Sequence, residues 1–447
     1  MIYDSSVSNL TENGKKISLI NITFPKYMEQ IFVYLLSTVH TLMLTGYSDN
    51  AVAATNVANQ IYVFAILLSN FIAVGMGVIL SVAIGEENTE KINNATGTGI
   101  WTSVGVGSVT ASVLSLAAPV IFSLMNLEGE TKKIAIDYFC IKTIAIPIHA
   151  LSGCFNQILM CRGYAKLTLV SGITTNVLNV VSSYIILYSG LDLPVKGASG
   201  LAVGFCIVSF IGMAISYYFC RKKGCIGEAG FKKSVAFDIF RIGFPGTMNS
   251  MSYNIAQIIS TGFIASMGIA VINTKVFAAT IINNVYLFSL SLSQANRVLV
   301  GIYRGRKEFD NIKKIHRQNV MLCLLCNVSM SVLIYIFRNP LISIFTSDPA
   351  IVRGVGIILL IDIAVEIPRA ANHIYESSHI ANGDVGATFW FSFISCWAFS
   401  IPFGYLLGIK LGFGIEGIWI AYALEESFKA LAYAIRWKKE SWRYTRL

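Results

Sequence analysis

Apolar segments of about 20 residues or more, each bounded by polar or Gly/Pro-containing turns, recur twelve times along this chain. In lipid, such a segment must satisfy its backbone polar groups internally, so each reads as a helix. The spans are 21–45, 54–83, 98–125, 134–160, 167–189, 198–220, 241–267, 274–303, 318–345, 354–381, 387–409 and 412–436. Composition agrees: 55% of the 447 residues are hydrophobic, 13% are charged, and the mean hydropathy of +0.64 lies outside the range of soluble globular domains. The first twenty residues carry Asp4, Glu12, Lys15 and Lys16 and lack the apolar stretch of a signal peptide, so insertion is expected to begin at the first span. The chain therefore reads as an all-α polytopic membrane protein.

A formal net charge of +10 raises nucleic acid as a partner, and the placement of the charge argues against it. On the side shared by the N-terminus, the loops after even-numbered spans and the C-terminus lie 22 Lys and Arg residues, against 7 on the other side. By the positive-inside rule both termini are expected in the cytoplasm, and the basic excess reflects topology.

The twelve spans are two copies of six. FPKYM at Phe24 to Met28 returns as FPGTM at Phe244 to Met248, and NQIYVF at Asn59 to Phe64 returns as NNVYLF at Asn283 to Phe288. Ile146-Pro147 matches Ile367-Pro368, Pro119 matches Pro340, and GASGLAVG from Gly197 matches GIEGIWIA from Gly414, at offsets between 217 and 224 and in unbroken order. An even number of spans per copy leaves the halves parallel, related by a pseudo-two-fold axis along the membrane normal, a transporter arrangement with the substrate path between halves. The division reads as a cytoplasmic segment 1–20, an N-lobe 21–220, a basic linker 221–240 suited to anionic headgroups, a C-lobe 241–437 and a basic tail 438–447.

Ionisable residues inside the spans are the functional candidates, because each costs about 2.5 to 3.5 kcal/mol at mid-depth. In span 10, Asp362, Glu366, Arg369, His373 and Glu376 fall within an arc of about 80° at helical periodicity. Such a stripe faces water, a cavity or a partner helix, either as a functional surface or as a ladder fixing helix packing. The duplicated positions in the first half are Ala145 and Ile148 where the second has Glu366 and Arg369, so the stripe belongs to one lobe. In span 1, Glu29 and His40 share a face, and an imidazole can change charge near neutrality or simply bond a neighbouring helix. Lys142, His149 and Asn156 are spaced by seven in span 4, with Pro147 interrupting the helix. Asn179 in span 5, Tyr253 and Asn254 in span 7, and Asn283 and Asn284 in span 8 suggest a wet lobe interior or ordinary interhelical bonding. Cys323 and Cys326 form a C-x-x-C without a second pair and read as small buried hydrophobes.

These features resemble the multidrug and toxic compound extrusion (MATE) transporters. The resemblance rests on the FP pair opening spans 1 and 7, GEENTEK and GRKEFDN after spans 2 and 8, MCRGYAKLT after span 4, NVLNVV in span 5 and the closing GIEGIWIAYALEESFKALAYAIRWKKESW. It implies a V-shaped bundle of two six-helix lobes that exports organic, often cationic, compounds in exchange for H⁺ or Na⁺ from the cell membrane. The expected protein is a monomer with no cofactor beyond the coupling ion, no metal, no nucleic-acid partner and no enzymatic activity. The chain departs from the family pattern at three acids: His40 stands where many members have a span-1 aspartate, Ser183 where some have a span-5 aspartate, and Tyr253 where one branch has a glutamate. The coupling role is therefore expected at Glu366 first and Asp362 second, with Arg369, His373 and His40 beside them. The substrate cavity is expected to involve Glu29, Asn179, Tyr253, Asn254, Asn283, Asn284 and His149. Two alternatives stand beside this reading: a flippase for a lipid-linked precursor from the same superfamily and, more remotely, an intramembrane transferase.

Overall fold

A computed structural model describes residues 9–12, 15–45, 49–189, 197–227 and 230–445, without the side chains of 9–16, 37, 38, 40–42, 44, 45 and 49–53. A short antiparallel hairpin comes first, β1 (Asn9–Glu12) and β2 (Lys15–Ser18), in the register Asn9↔Ser18. Twelve long helices follow among the described residues. In the first copy these are α1 (Leu19–Thr45), α2 (Asp49–Gly85), α3 (Thr89–Leu124), α4 (Gly129–Cys161), α5 (Ala165–Tyr188) and α6 (Gly197–Lys222). In the second they are α7 (Lys233–Ala265), α8 (Ile269–Gly305), α9 (Phe309–Ile336), α10 (Pro349–Ala381), α11 (Val385–Lys410) and α12 (Gly414–Lys438).

Eight of the twelve are long and apolar enough to cross a membrane on those grounds alone, namely α2 to α6, α8, α9 and α11. The charges of α10 and α12 lie in mid-helix, and α7 carries Lys233, Asp238 and Arg241 in its first turns. Several helices begin before their apolar stretch, because a polar first turn can be capped. At α3, which starts at Thr89 rather than 98, Asn88 accepts a bond from the Lys91 amide at 3.0 Å. Asp348 does the same for the Ala350 amide at 2.8 Å at the head of α10, with Pro349 in the first turn, where its missing N–H costs nothing.

The duplicated Ile-Pro pairs act differently in the two copies. In α4 the helix breaks at Ile144 into Gly129–Thr143 and Ala145–Cys161, just where Pro147 withholds the N–H that the Thr143 carbonyl would accept. Pro368 lies inside an unbroken α10. In α11, two stretches, Ser395–Ser400 and Gly404–Lys410, wind as π-helix.

Two compact units emerge: Phe24–Thr247, and Met248–Leu447 with Met1–Thr23. The first has a core of Ala54, Ala58, Tyr62, Phe122, Phe139, Ile146 and Leu201. Within it α7 approaches α2 through Gly75 and Gly243, where an added methyl would meet the carbonyls of Ile239 and Phe71. In the second unit the core is built on Ile281, Ile358, Leu359, Val365, Ile418 and Trp419, and α10 packs against α8, α9 and α12.

Candidate functional site

Because α10 is enclosed by three neighbours, the polar face of the stripe points at protein. Asp362 and Glu366 are buried, the latter with no exposure. Arg369 holds both, with Nη1 2.5 Å from Glu366 Oε1 and 4.0 Å from Asp362 Oδ1. Its Nε lies 3.4 Å from Glu426 Oε1 on α12. Buried charges persist only when paired and hydrogen-bonded, and each acid here has further donors. Asn327 of α9 donates to Glu366 Oε2 at 2.8 Å and also to Ser289 of α8. Asn372 donates to Glu426 Oε2 at 2.8 Å. Lys429, one turn on in α12, pairs with Glu425 at 3.2 Å and Glu426 at 3.4 Å. Cys396 of α11 donates to Glu425 at 3.4 Å.

The cluster thus holds four carboxylates (Asp362, Glu366, Glu425, Glu426) and two cations (Arg369, Lys429), with donors from four helices. Tyr253 of α7 lies within electrostatic reach of Arg369, Glu425 and Glu426. His373 packs edge-on to Tyr286, with centroids 5.4 Å apart, within reach of Glu426. Glu376 lies further along the helix, where it accepts from Asn249 at 2.5 Å.

The other expected residues lie elsewhere. Asn254 and Asn284 donate to carbonyls of their own helices, Ser250 and Ile281, and Asn283 is half-buried. In the first unit, Glu29 is buried, takes an ion pair from Lys26 at 2.8 Å and accepts from Thr168 at 3.3 Å. The carbonyl of Asn179 accepts from Ser183 at 2.8 Å. His149 lies 3.1 Å from Ser209 Oγ and stacks on Phe205. The side chain of His40 lies outside the described residues. What the spacing did not reveal is the α12 half of the cluster. Its signal is in plain view, since ALEESFK places three charges in mid-span, but sequence cannot show which neighbour they face.

A second polar assembly closes the end of the C-terminal unit that bears the α10–α11 turn. Arg436 grips both oxygens of Asp384 at 2.9 and 3.0 Å, and His379 Nδ1 lies 3.0 Å from the same carboxylate. Trp442, fully buried, stacks on Trp437, which stacks in turn on His316. Thr445 donates to the Asn382 carbonyl at 2.6 Å.

The comparisons with known proteins agree with this fold. The MatE family model matches twice, over residues 25–185 and 245–406, each match beginning at the proline of a duplicated Phe-Pro pair. An uncharacterized transporter, YisQ of Bacillus subtilis, is 30% identical over 433 residues, 96% of this chain and 95% of its own length. A probable multidrug resistance protein, NorM of Thermotoga maritima, is 24% identical over 92% of this chain and 90% of its own. Among solved structures, an outward-facing multidrug resistance MATE transporter of the MOP superfamily superposes with a TM-score of 0.85 at 17% identity over 96% of both chains. A MOP superfamily transporter from Pyrococcus furiosus gives 0.86 at 16% identity, again over 96% of both. The chain is a twelve-helix, two-lobed membrane transporter and belongs to the MatE family.

Proposed function

We propose that this protein is a secondary active antiporter of the cell membrane that exports organic compounds, cationic ones among them, in exchange for H⁺ or Na⁺. Both termini lie in the cytoplasm in this reading, and the transporter works as a monomer by alternating access. The observation that carries it is the pair Glu366–Arg369, an enclosed carboxylate whose partner is shared with two other acids. A proton taken up by Glu366 removes its charge and leaves the guanidinium to Asp362 and Glu426. A sodium ion would find oxygens on Glu366, Asn327 and Ser289, three hard donors already gathered. Either event changes the local charge balance by one unit within a low-dielectric bundle, where such a change is strongly felt. The multidrug resistance proteins among the relatives support the substrate class.

The test is dye efflux from vesicles under an imposed pH gradient and, separately, a sodium gradient. One gradient is expected to drive export by the wild type, and Glu366→Gln is expected to abolish that dependence. Undiminished gradient-driven export by Glu366→Gln would remove Glu366 from the coupling role.

A further inference from the structure

The two lobes treat their buried lysines differently. Lys429 in the C-lobe has two carboxylates. Lys142 in the N-lobe is buried on α4, two residues before the helix break, and among the described residues it forms no ion pair. Its Nζ donates to Asn59 Oδ1 at 2.5 Å and Tyr138 Oη at 2.9 Å, which uses two of its three N–H groups. Around it stand the rings of Phe205, Tyr62 and Tyr138, with centroids 4.4, 4.7 and 5.1 Å from the ammonium. Rings and an amide soften a buried cation but do not neutralise it.

A second, independent observation points to the same place. The Tyr62 hydroxyl is buried and has no hydrogen-bond partner among the described residues, although the residue is 94% enclosed and its ring lies against Lys142, His149 and Phe205. An unsatisfied buried hydroxyl beside an uncompensated cation calls for an acceptor carrying negative charge. Asn59, His149 and Phe205 are only half-buried, so this aromatic box has an open rim.

We propose that the N-lobe binds the carboxylate of an organic substrate on Lys142 and Tyr62. One carboxylate oxygen takes the free N–H of Lys142 and the other takes the Tyr62 hydroxyl, while the substrate's flat body lies among the rings. The inference rests on the transporter reading above and extends its substrates to zwitterionic and anionic compounds.

The test is equilibrium binding to the detergent-purified full chain, read by fluorescence polarisation, with tetramethylrhodamine and its methyl ester. These probes differ only in the free carboxylate. Wild type is expected to bind the acid about tenfold more tightly than the ester. Lys142→Gln is expected to erase that preference by weakening binding of the acid, and Tyr62→Phe, which keeps the ring, to reduce the preference about threefold. Acetate is expected to displace the acid probe at concentrations where chloride does not. Equal binding of acid and ester by wild type would overturn the proposal, as would a preference that survives Lys142→Gln, an equal loss for both probes in that variant, or displacement by chloride as readily as by acetate. No gradient enters the measurement, so a failure of gradient-driven export leaves this result readable on its own.

Discussion

Glu366 and Arg369, one turn apart on α10, meet at 2.5 Å with the acid wholly enclosed and the arginine side chain 12% exposed. The pair is therefore asymmetric: the acid is sealed, while the arginine that compensates it is shared with two further buried acids, Asp362 and Glu426.

That asymmetry orders two substitutions by their effect on stability. Arg369→Met leaves Glu366, Asp362 and Glu426 without their shared cation and is expected to cost about 3 to 5 kcal/mol, the usual penalty for stripping one partner from a buried pair. Glu366→Gln keeps an acceptor for Asn327 and is expected to cost about 1 to 2 kcal/mol. Thermal unfolding of the detergent-purified variants checks the order, and a higher midpoint for Arg369→Met than for Glu366→Gln would refute it.

The α10–α11 turn should report pH. Burial opposes the charge of Asp384, but the bonds from His379 and Arg436 prevail and hold its carboxyl below the ordinary value of 3.8. A group whose folded value is depressed contributes stability above the unfolded value and loses it as pH falls through the folded one. The wild type should lose about 1 to 2 kcal/mol more than Asp384→Asn between pH 6 and pH 3, a figure kept below that of an enclosed pair because Arg436 is 34% exposed. Parallel unfolding curves for the two proteins across that interval would contradict this.

Gly243→Ala tests the packing of α7 on α2. The new methyl would be driven into the Phe71 carbonyl, a backbone atom with no freedom to rotate away. Overpacking of this kind costs about 1 to 3 kcal/mol, so a lower yield of monodisperse protein and a reduced melting temperature are expected. Gly262→Ala, where an added methyl meets nothing, serves as the control and should behave as wild type.

The tail beyond α12 is part of the fold rather than a loose end. Trp442→Ala empties a fully buried indole site between Trp437 and Phe309 and is expected to cost about 3 to 5 kcal/mol. Protease accessibility after Lys438 and Lys439 should rise in the variant, and an unchanged cleavage pattern would argue against the docking.

How far sequence carried the argument depends on the distance over which each feature acts. Asp362, Glu366 and Arg369 are bound to one another by helical periodicity, and spacing alone brought them together. His373 and Glu376 share the face yet lie beyond Asp362 and Glu366, toward Glu426 and Asn249, because the 14 residues from Asp362 to Glu376 climb about 21 Å along the axis. An angular wheel shows direction and hides depth. Glu425, Glu426, Asn327 and Ser289 were missed as partners because contacts across helices follow from packing, which no single-helix pattern encodes. Lys142 and His149 were legible as a shared face in span 4, whereas the orphaned hydroxyl of Tyr62 became visible only once α2 was laid beside them.

The wide turns of α11 bear on the history of the chain. Its 26 residues exceed the 24 of its counterpart α5, yet the repeat offset falls from 221 at the Ile-Pro pairs to 217 at the starts of spans 6 and 12. The second copy therefore has the shorter connection and the longer helix, and a π-turn is how a helix accommodates a surplus residue without surrendering its ends. Relatives aligned to this chain should accordingly gain or lose single residues within Ser395–Ser400 and Gly404–Lys410, places where evolution can edit length and leave the membrane crossing intact.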